Sequence, residues 1–128
     1  MRAHHFIIFS FLALFLTLNP AQSMASGDAA KGKWLFDEIK CKRCHSLTER
    51  PKIGPGLKGI TQRRSQEWLV KWLKDPQATW EENDEETQKM RQWREDRAGD
   101  RKTRMKIPPL GETDAINIIA YMKQNDES

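Results

Sequence analysis

The chain is poor in the residues that make cross-links and metal cages: its 128 residues include two cysteines, three histidines and one tyrosine. Zinc is usually held by four Cys and His ligands, and one Cys-His pair with a nearby Cys cannot supply a separate tetrahedral set. Long apolar runs are scarce as well. Phe6 to Leu18 is an apolar stretch of 13 residues, short of the roughly 20 that a membrane-spanning helix requires. Charge of one sign is not in excess either. The 22 basic and 18 acidic residues are interspersed, for a net +4, and make no basic stripe of the kind nucleic acid selects. No alternating strand and helix pattern surrounds the cysteines, as a thioredoxin-type dithiol would want.

The N-terminal stretch has its own logic. Arg2, His4 and His5 precede the apolar run, and Asn19-Pro20 and small residues around Ser23 and Ala25 follow it. That order reads as a cleaved secretory signal peptide over residues 1–25, with the working domain at 26–128, exported to the periplasm and without an integral membrane anchor. No cysteine lies near the expected cleavage site, so a lipid anchor is not expected. Arg2 is the segment's one residue among Lys, Arg, Asp and Glu, so its loss lowers the net charge by one. What remains has the length of one small domain, too short for a multidomain enzyme. A domain this small and polar buries little apolar surface and usually needs a staple.

The staple is Cys41-Lys42-Arg43-Cys44-His45, which contains every cysteine and the one histidine beyond residue 25. Two thiols separated by two residues can form thioethers to the two vinyl groups on one porphyrin edge, and the next residue can point its imidazole at the iron. The motif therefore predicts covalent attachment of one haem c. A Cys41–Cys44 disulfide or redox dithiol is the alternative, since export favours oxidation, although so short a loop would stabilise a fold little.

With this motif following an export signal, residues 26–128 resemble a class I monohaem c-type cytochrome. The resemblance implies an all-α fold of about four helices wrapped around one covalently bound haem, with the N- and C-terminal helices crossing. Residues 27–40 read as a helix with Gly32, Leu35, Phe36 and Ile39 on one face. Gly32 and Phe36 match the family positions that meet the last helix. The loop Gly54-Pro55-Gly56-Leu57 is similar to the one in which a backbone carbonyl accepts the N–H of the proximal histidine, and this assigns Pro55 to the haem environment. Ser65 is a plausible cap for a helix carrying Trp68, Leu69, Trp72 and Leu73, stopped at Asp75-Pro76. Buried indoles need acceptors, and haem propionates are good ones, so Trp68 and Trp72 are expected near the haem. Arg63 falls where the family brings an arginine to a propionate.

Residues 80–104 are the least family-like part. Five acids from Glu81 to Glu86 precede a mostly basic run, which suits the dipole of one charged surface helix ended by Gly99, with Glu86, Met90, Trp93 and Arg97 on a common face. The sharper alternative is a docking surface. The last helix should begin after Pro108-Pro109, capped by Thr113. Its tract Ile118 to Met122 closely resembles the family's C-terminal helix.

His45 and Met105 are the expected axial iron ligands. Met90 lies within the helical pattern and Met122 on the last helix, where core packing explains them better. Met105 sits in extended chain before a double proline, and its spacings from His45 and Tyr121 are similar to the family's. Ile107, however, stands directly before Pro108, where many relatives place the methionine.

The resemblance thus implies a one-electron carrier rather than an enzyme, cycling Fe(III) and Fe(II) between a donor and an acceptor redox protein through an exposed haem edge. Lys42, Arg43, Lys52, Lys58, Lys71 and Lys74 are candidates for a basic rim facing acidic partners, with solubility alone as the plain alternative. Two other readings stay open: a haem-binding subunit of a larger oxidoreductase, or a haem enzyme or gas sensor with an open sixth position.

Overall fold

A computed structural model describes residues 26–128. The expected signal peptide, residues 1–25, lies outside the described residues. Among those described, the secondary structure is entirely helical, and no helix is long and apolar enough to cross a membrane. The α-helices are α1 (Ala29–Glu38), α2 (Ile60–Arg63), α3 (Gln66–Lys74), α4 (Pro76–Glu82), α5 (Glu85–Arg91) and α6 (Glu112–Glu127), with 3-10 turns at Cys41–Arg43 and Glu95–Arg97. This is the expected all-α architecture, with more helical segments than the four anticipated.

The crossing of α1 and α6 organises the chain. Asp28 caps α1 by accepting from Lys31 N, while its own N–H donates to the buried Asn117 Oδ1 at 2.8 Å, which ties the start of α1 to α6. Gly32 lies against the Asn117 carbonyl so closely that a Cβ there would clash with backbone. The absent side chain is what lets the two helix axes approach. Beside it Phe36, 1% exposed, meets Tyr121 edge to face at 5.5 Å, a preferred aromatic geometry. Ile118 and Met122 of α6 join Leu35 and Phe36 in the core.

Helix α3 follows its sequence signals. Ser65 Oγ accepts from Trp68 N, and Trp68, Leu69, Trp72 and Leu73 are buried. Asp75 then serves twice: it ends α3, and its carboxylate caps α4 by accepting from Ala78 N at 2.9 Å. Pro76 is the first residue of α4, where its missing N–H costs nothing. So Asp75-Pro76 turns the chain into another helix rather than into a loop.

The single helix expected over residues 80–104 is not formed. Asn83 adopts a left-handed conformation (φ 50°) and ends α4, and Asp84 caps α5 by accepting from Thr87 N. Asn tolerates that conformation because its short polar side chain bonds locally. Helix α5 ends at Arg91, well before Gly99, and irregular chain with one 3-10 turn leads on to α6. Tertiary contacts account for the break: Arg91 stacks on Trp80 at 3.8 Å and donates to the carbonyls of Trp80, Ala98 and Asp100, so the chain must curl around this guanidinium. At the last helix the cap is Gly111 rather than Thr113.

Candidate functional site

The site begins where α1 ends. Lys40 takes a left-handed conformation (φ 59°) and turns the chain into the 3-10 segment, where Cys44 N and His45 N both donate to Cys41 O, at 3.1 and 3.0 Å. This tight turn presents both thiols and the imidazole to one cleft of about 260 Å³, which Pro55, Met105 and Ile107 also line. The two sulfurs are not bonded to each other. Burial pushes the Cys41 thiol up to about 11, the opposite of the depressed value that a redox-active thiolate needs.

His45 is held by one bond. Its Nδ1 lies 2.8 Å from the Pro55 carbonyl, and because a carbonyl can only accept, Nδ1 carries the proton and Nε2 keeps its lone pair free. Burial lowers the imidazole's pKa, partly offset by that carbonyl, so the ring stays neutral. The supporting loop is pinned to its surroundings: Gly54 N donates to Cys44 O at 2.8 Å and Leu57 N to Ser46 O at 2.9 Å. Gly54 packs flat against the imidazole, where a Cβ would overlap the ring.

The end of α6 clamps this loop from outside. Lys58 Nζ donates to Asn125 O at 2.6 Å, and Asn125 Nδ2 donates to Leu47 O at 3.0 Å. Asp126 accepts from the backbone N–H groups of Gly59 and Thr61 and from the Thr61 hydroxyl, which caps α2 in place of any local side chain. Sequence reasoning missed Asn125 and Asp126, since both sit in an unremarkable polar tail and their partners are more than 60 positions away.

Arg63, expected at a propionate, points elsewhere. Its guanidinium donates to Lys58 O at 2.5 Å and Gly56 O at 3.3 Å, bracing the loop behind His45. It is not among the residues lining the cleft. Carbonyls in the loop preceding α2 thus take up part of the guanidinium's fork of donors.

Trp68 and Trp72 do line the cleft, with Leu57, Leu69 and Leu73. Their N–H groups, however, are given to the protein: Trp68 Nε1 donates to Thr87 Oγ1 at 3.0 Å and Trp72 Nε1 to Met105 Sδ at 3.0 Å. Trp80 does likewise, donating to Asp100 O at 2.8 Å. Three indoles from α3 and α4 thus attach α5 and the irregular chain after it at three points, Thr87, Asp100 and Met105. Thr87, fully buried, passes the bond on to Thr79 O. Nothing in its charged surroundings distinguished it as a core residue.

Most lysines of the expected basic rim have local partners. Lys42 pairs with Asp37, Lys71 with Glu82 and Asp84, and Lys74 with Glu112, while the Lys58 and Lys52 ammonium groups donate to backbone carbonyls. The cations lining the cleft are Lys40, Arg91, Arg94, Arg97, Lys102, Arg104 and Lys106, and of these Arg94 and Arg97 pair with Asp96 and Arg104 with Asp100. Two exposed apolar side chains stand among them, Ile53 at 60% and Trp93 at 36%.

The donor set fits a covalently held haem: two thiols on one turn, a neutral imidazole with its outer nitrogen tied, a thioether sulfur, and walls of leucine and tryptophan. Comparisons with known proteins point the same way. The family model for cytochrome c matches residues 29–126. A cytochrome c-553-like protein of Synechocystis sp. is 36% identical over 59 residues, 44% of this chain and 55% of the relative, so the chain spans about half the length of the curated relative it matches. Among solved structures, cytochrome c from Rhodothermus marinus aligns with a TM-score of 0.62 at 27% identity, covering 85% of this chain and 90% of that one. An engineered cytochrome c from the same organism, Rma TDE, aligns with a TM-score of 0.63 over 86% of this chain and 92% of its own, and at 23% identity it supports the fold alone.

Proposed function

The chain belongs to the cytochrome c family, and from that premise we propose that it is a periplasmic one-electron carrier, holding one haem per chain and passing electrons between larger redox proteins. Cys41 and Cys44 would hold the haem as thioethers, with His45 Nε2 and Met105 Sδ as the donors to its iron. When bound, the haem supplies an iron that changes by one electron and a conjugated edge through which that electron passes. The chain's own residues do the rest. Pro55 O keeps Nδ1 protonated and so fixes which imidazole nitrogen faces the cleft and how the ring is turned. Leu57, Trp68, Leu69 and Leu73 exclude water from the cleft wall. With donors from both His45 and Met105, a bound iron would have no room for a substrate, which favours a carrier over an enzyme or gas sensor.

The observation that carries this reading is the convergence of Cys41, Cys44, a tautomer-fixed His45 and Met105 on one cleft. Export and the loss of residues 1–25 follow from the N-terminal pattern and put the work in the periplasm. The test is to purify the exported protein, measure its mass, and record oxidised and reduced absorption spectra of it and of Met105→Ala. The expected mass is that of residues 26–128 plus one haem. The expected spectrum is low-spin with a weak long-wavelength sulfur-to-iron band that the substitution abolishes. High-spin iron that binds carbon monoxide readily in the unmodified protein would sink the proposal.

A second reading, a haem-binding subunit of a larger oxidoreductase, draws on Trp93, exposed beside the cleft in the segment least like the family. Stoichiometric co-purification with a partner, lost in Trp93→Ser, would favour it.

A further inference from the structure

We propose that Trp72 is a positioning residue for the Met105 sulfur, its indole N–H orienting the thioether and raising the protein's reduction potential. The inference rests on the reading of Met105 as an iron ligand. Its observation is the contact of 3.0 Å between Trp72 Nε1 and Met105 Sδ. An indole nitrogen can only donate and a thioether sulfur can only accept, so the direction of this bond is unambiguous.

The donor is immobilised. Trp72 lies between Trp68, stacked at 5.2 Å and 13°, and Trp80, tilted at 6.4 Å. Both neighbours are anchored in turn, through Thr87 and Asp100, and Arg91 covers Trp80. The ring therefore cannot swing its N–H away without moving two other indoles. The acceptor is placed with equal care: Met105 N donates to Thr103 Oγ1 at 3.2 Å, and the buried Thr103 donates its own N–H to Gln77 Oε1 at 3.1 Å.

A thioether sulfur has two lone pairs. If one accepts from the indole, the other remains for a metal, and its direction is set by the first. The N–H also draws electron density from the sulfur and makes the remaining pair a weaker donor. A weaker donor stabilises the electron-poor Fe(III) form less than Fe(II), so the hydrogen bond favours reduction. Packing alone would not have this electronic effect.

The experiment uses the haem-loaded protein with Trp72→Phe, and with benzothienylalanine at position 72, in which sulfur replaces the N–H in a ring of nearly the same shape. Both should lower the Fe(II) to Fe(III) ratio at fixed ambient potential by about threefold, equivalent to ~28 mV at 59 mV per decade. Both should also displace the weak sulfur-to-iron band. A potential and band that stay at the unmodified values in the benzothienylalanine protein overturn the proposal, even if the phenylalanine variant shifts through lost packing. A band that survives Met105→Ala overturns the ligand reading and this proposal with it. A band lost in Met105→Ala but untouched by both changes at position 72 overturns the Trp72 role alone.

Discussion

Gly54→Ala adds one methyl group directly against the His45 ring. A Cβ built at that position would stand 2.8 Å from Nδ1 and 3.0 Å from Nε2, and closer still to the carbon between them, where ordinary contact is 3.4–4 Å. The loop cannot yield easily, because Gly54 N is bonded to Cys44 O and the neighbouring Leu57 N to Ser46 O. The ring must therefore retreat by ~1 Å, which carries Nδ1 out of reach of the Pro55 carbonyl now 2.8 Å away. Overpacking of this kind costs about 1–3 kcal/mol, and loss of the hydrogen bond adds about 1 kcal/mol. The expected outcome is a loss of roughly 2–4 kcal/mol in chemical denaturation, summed from these two contributions. With it, the axial absorption features should change, because the imidazole is no longer held in one orientation. A variant with unchanged stability and an unchanged spectrum would refute the argument that this glycine is required by the imidazole.

Other outcomes follow from the same geometry. Phe36→Ala, at the centre of the α1–α6 crossing, should cost about 3–5 kcal/mol in denaturation midpoint analysis. Thr87→Val keeps the shape but removes the acceptor of the buried Trp68 N–H, and about 1–3 kcal/mol should be lost; an unchanged midpoint would show that the bond is dispensable. Arg94 holds the Asp96 carboxyl down to about 2 by a paired hydrogen bond and its charge. Because the folded value is depressed, any stabilisation from this pair is complete above the ordinary carboxylate range and fades as pH falls toward 2. Asp96 is exposed and Arg94 half-buried, so the effect is small and salt-screened. NMR titration of Asp96 should show the low value, and Arg94→Gln should return it to the normal range.

The parts of the fold that were legible in the sequence are those decided within a turn or two of chain. The Cys41–His45 pentad, the Ser65 cap, the α3 stripe and the Gly32 and Phe36 positions all depend on residue types at fixed short spacing. The parts that were not legible depend on partners far away in sequence. The spacing of Arg63 points to a distant anion, whereas the carbonyls of Gly56 and Lys58 in the preceding loop engage part of its guanidinium. Residues 80–104 carry a charge pattern suited to one helix. That pattern describes the solvated surface, and the break at Asn83 comes from Thr87 and Arg91 turning inward to meet Trp68 and Trp80. Lysines expected to form a free rim have close acids or carbonyls available only after folding.

The sequence by itself determined which reactive atoms are available: two thiols and one imidazole at the spacing of a haem-attachment pentad, because bond-forming atoms are set by residue type and local spacing. It also implied that a chain so short of apolar surface would need such a group to fold around. Only the tertiary structure decided how these side chains are aimed. The Pro55 carbonyl chooses the nitrogen of His45, the Trp72 indole meets the sulfur of Met105, and Asn125 and Asp126 clamp the loop between them. Those bonds join segments 10 to 78 residues apart, and no periodicity along the chain records which donor will face which acceptor once the helices have crossed.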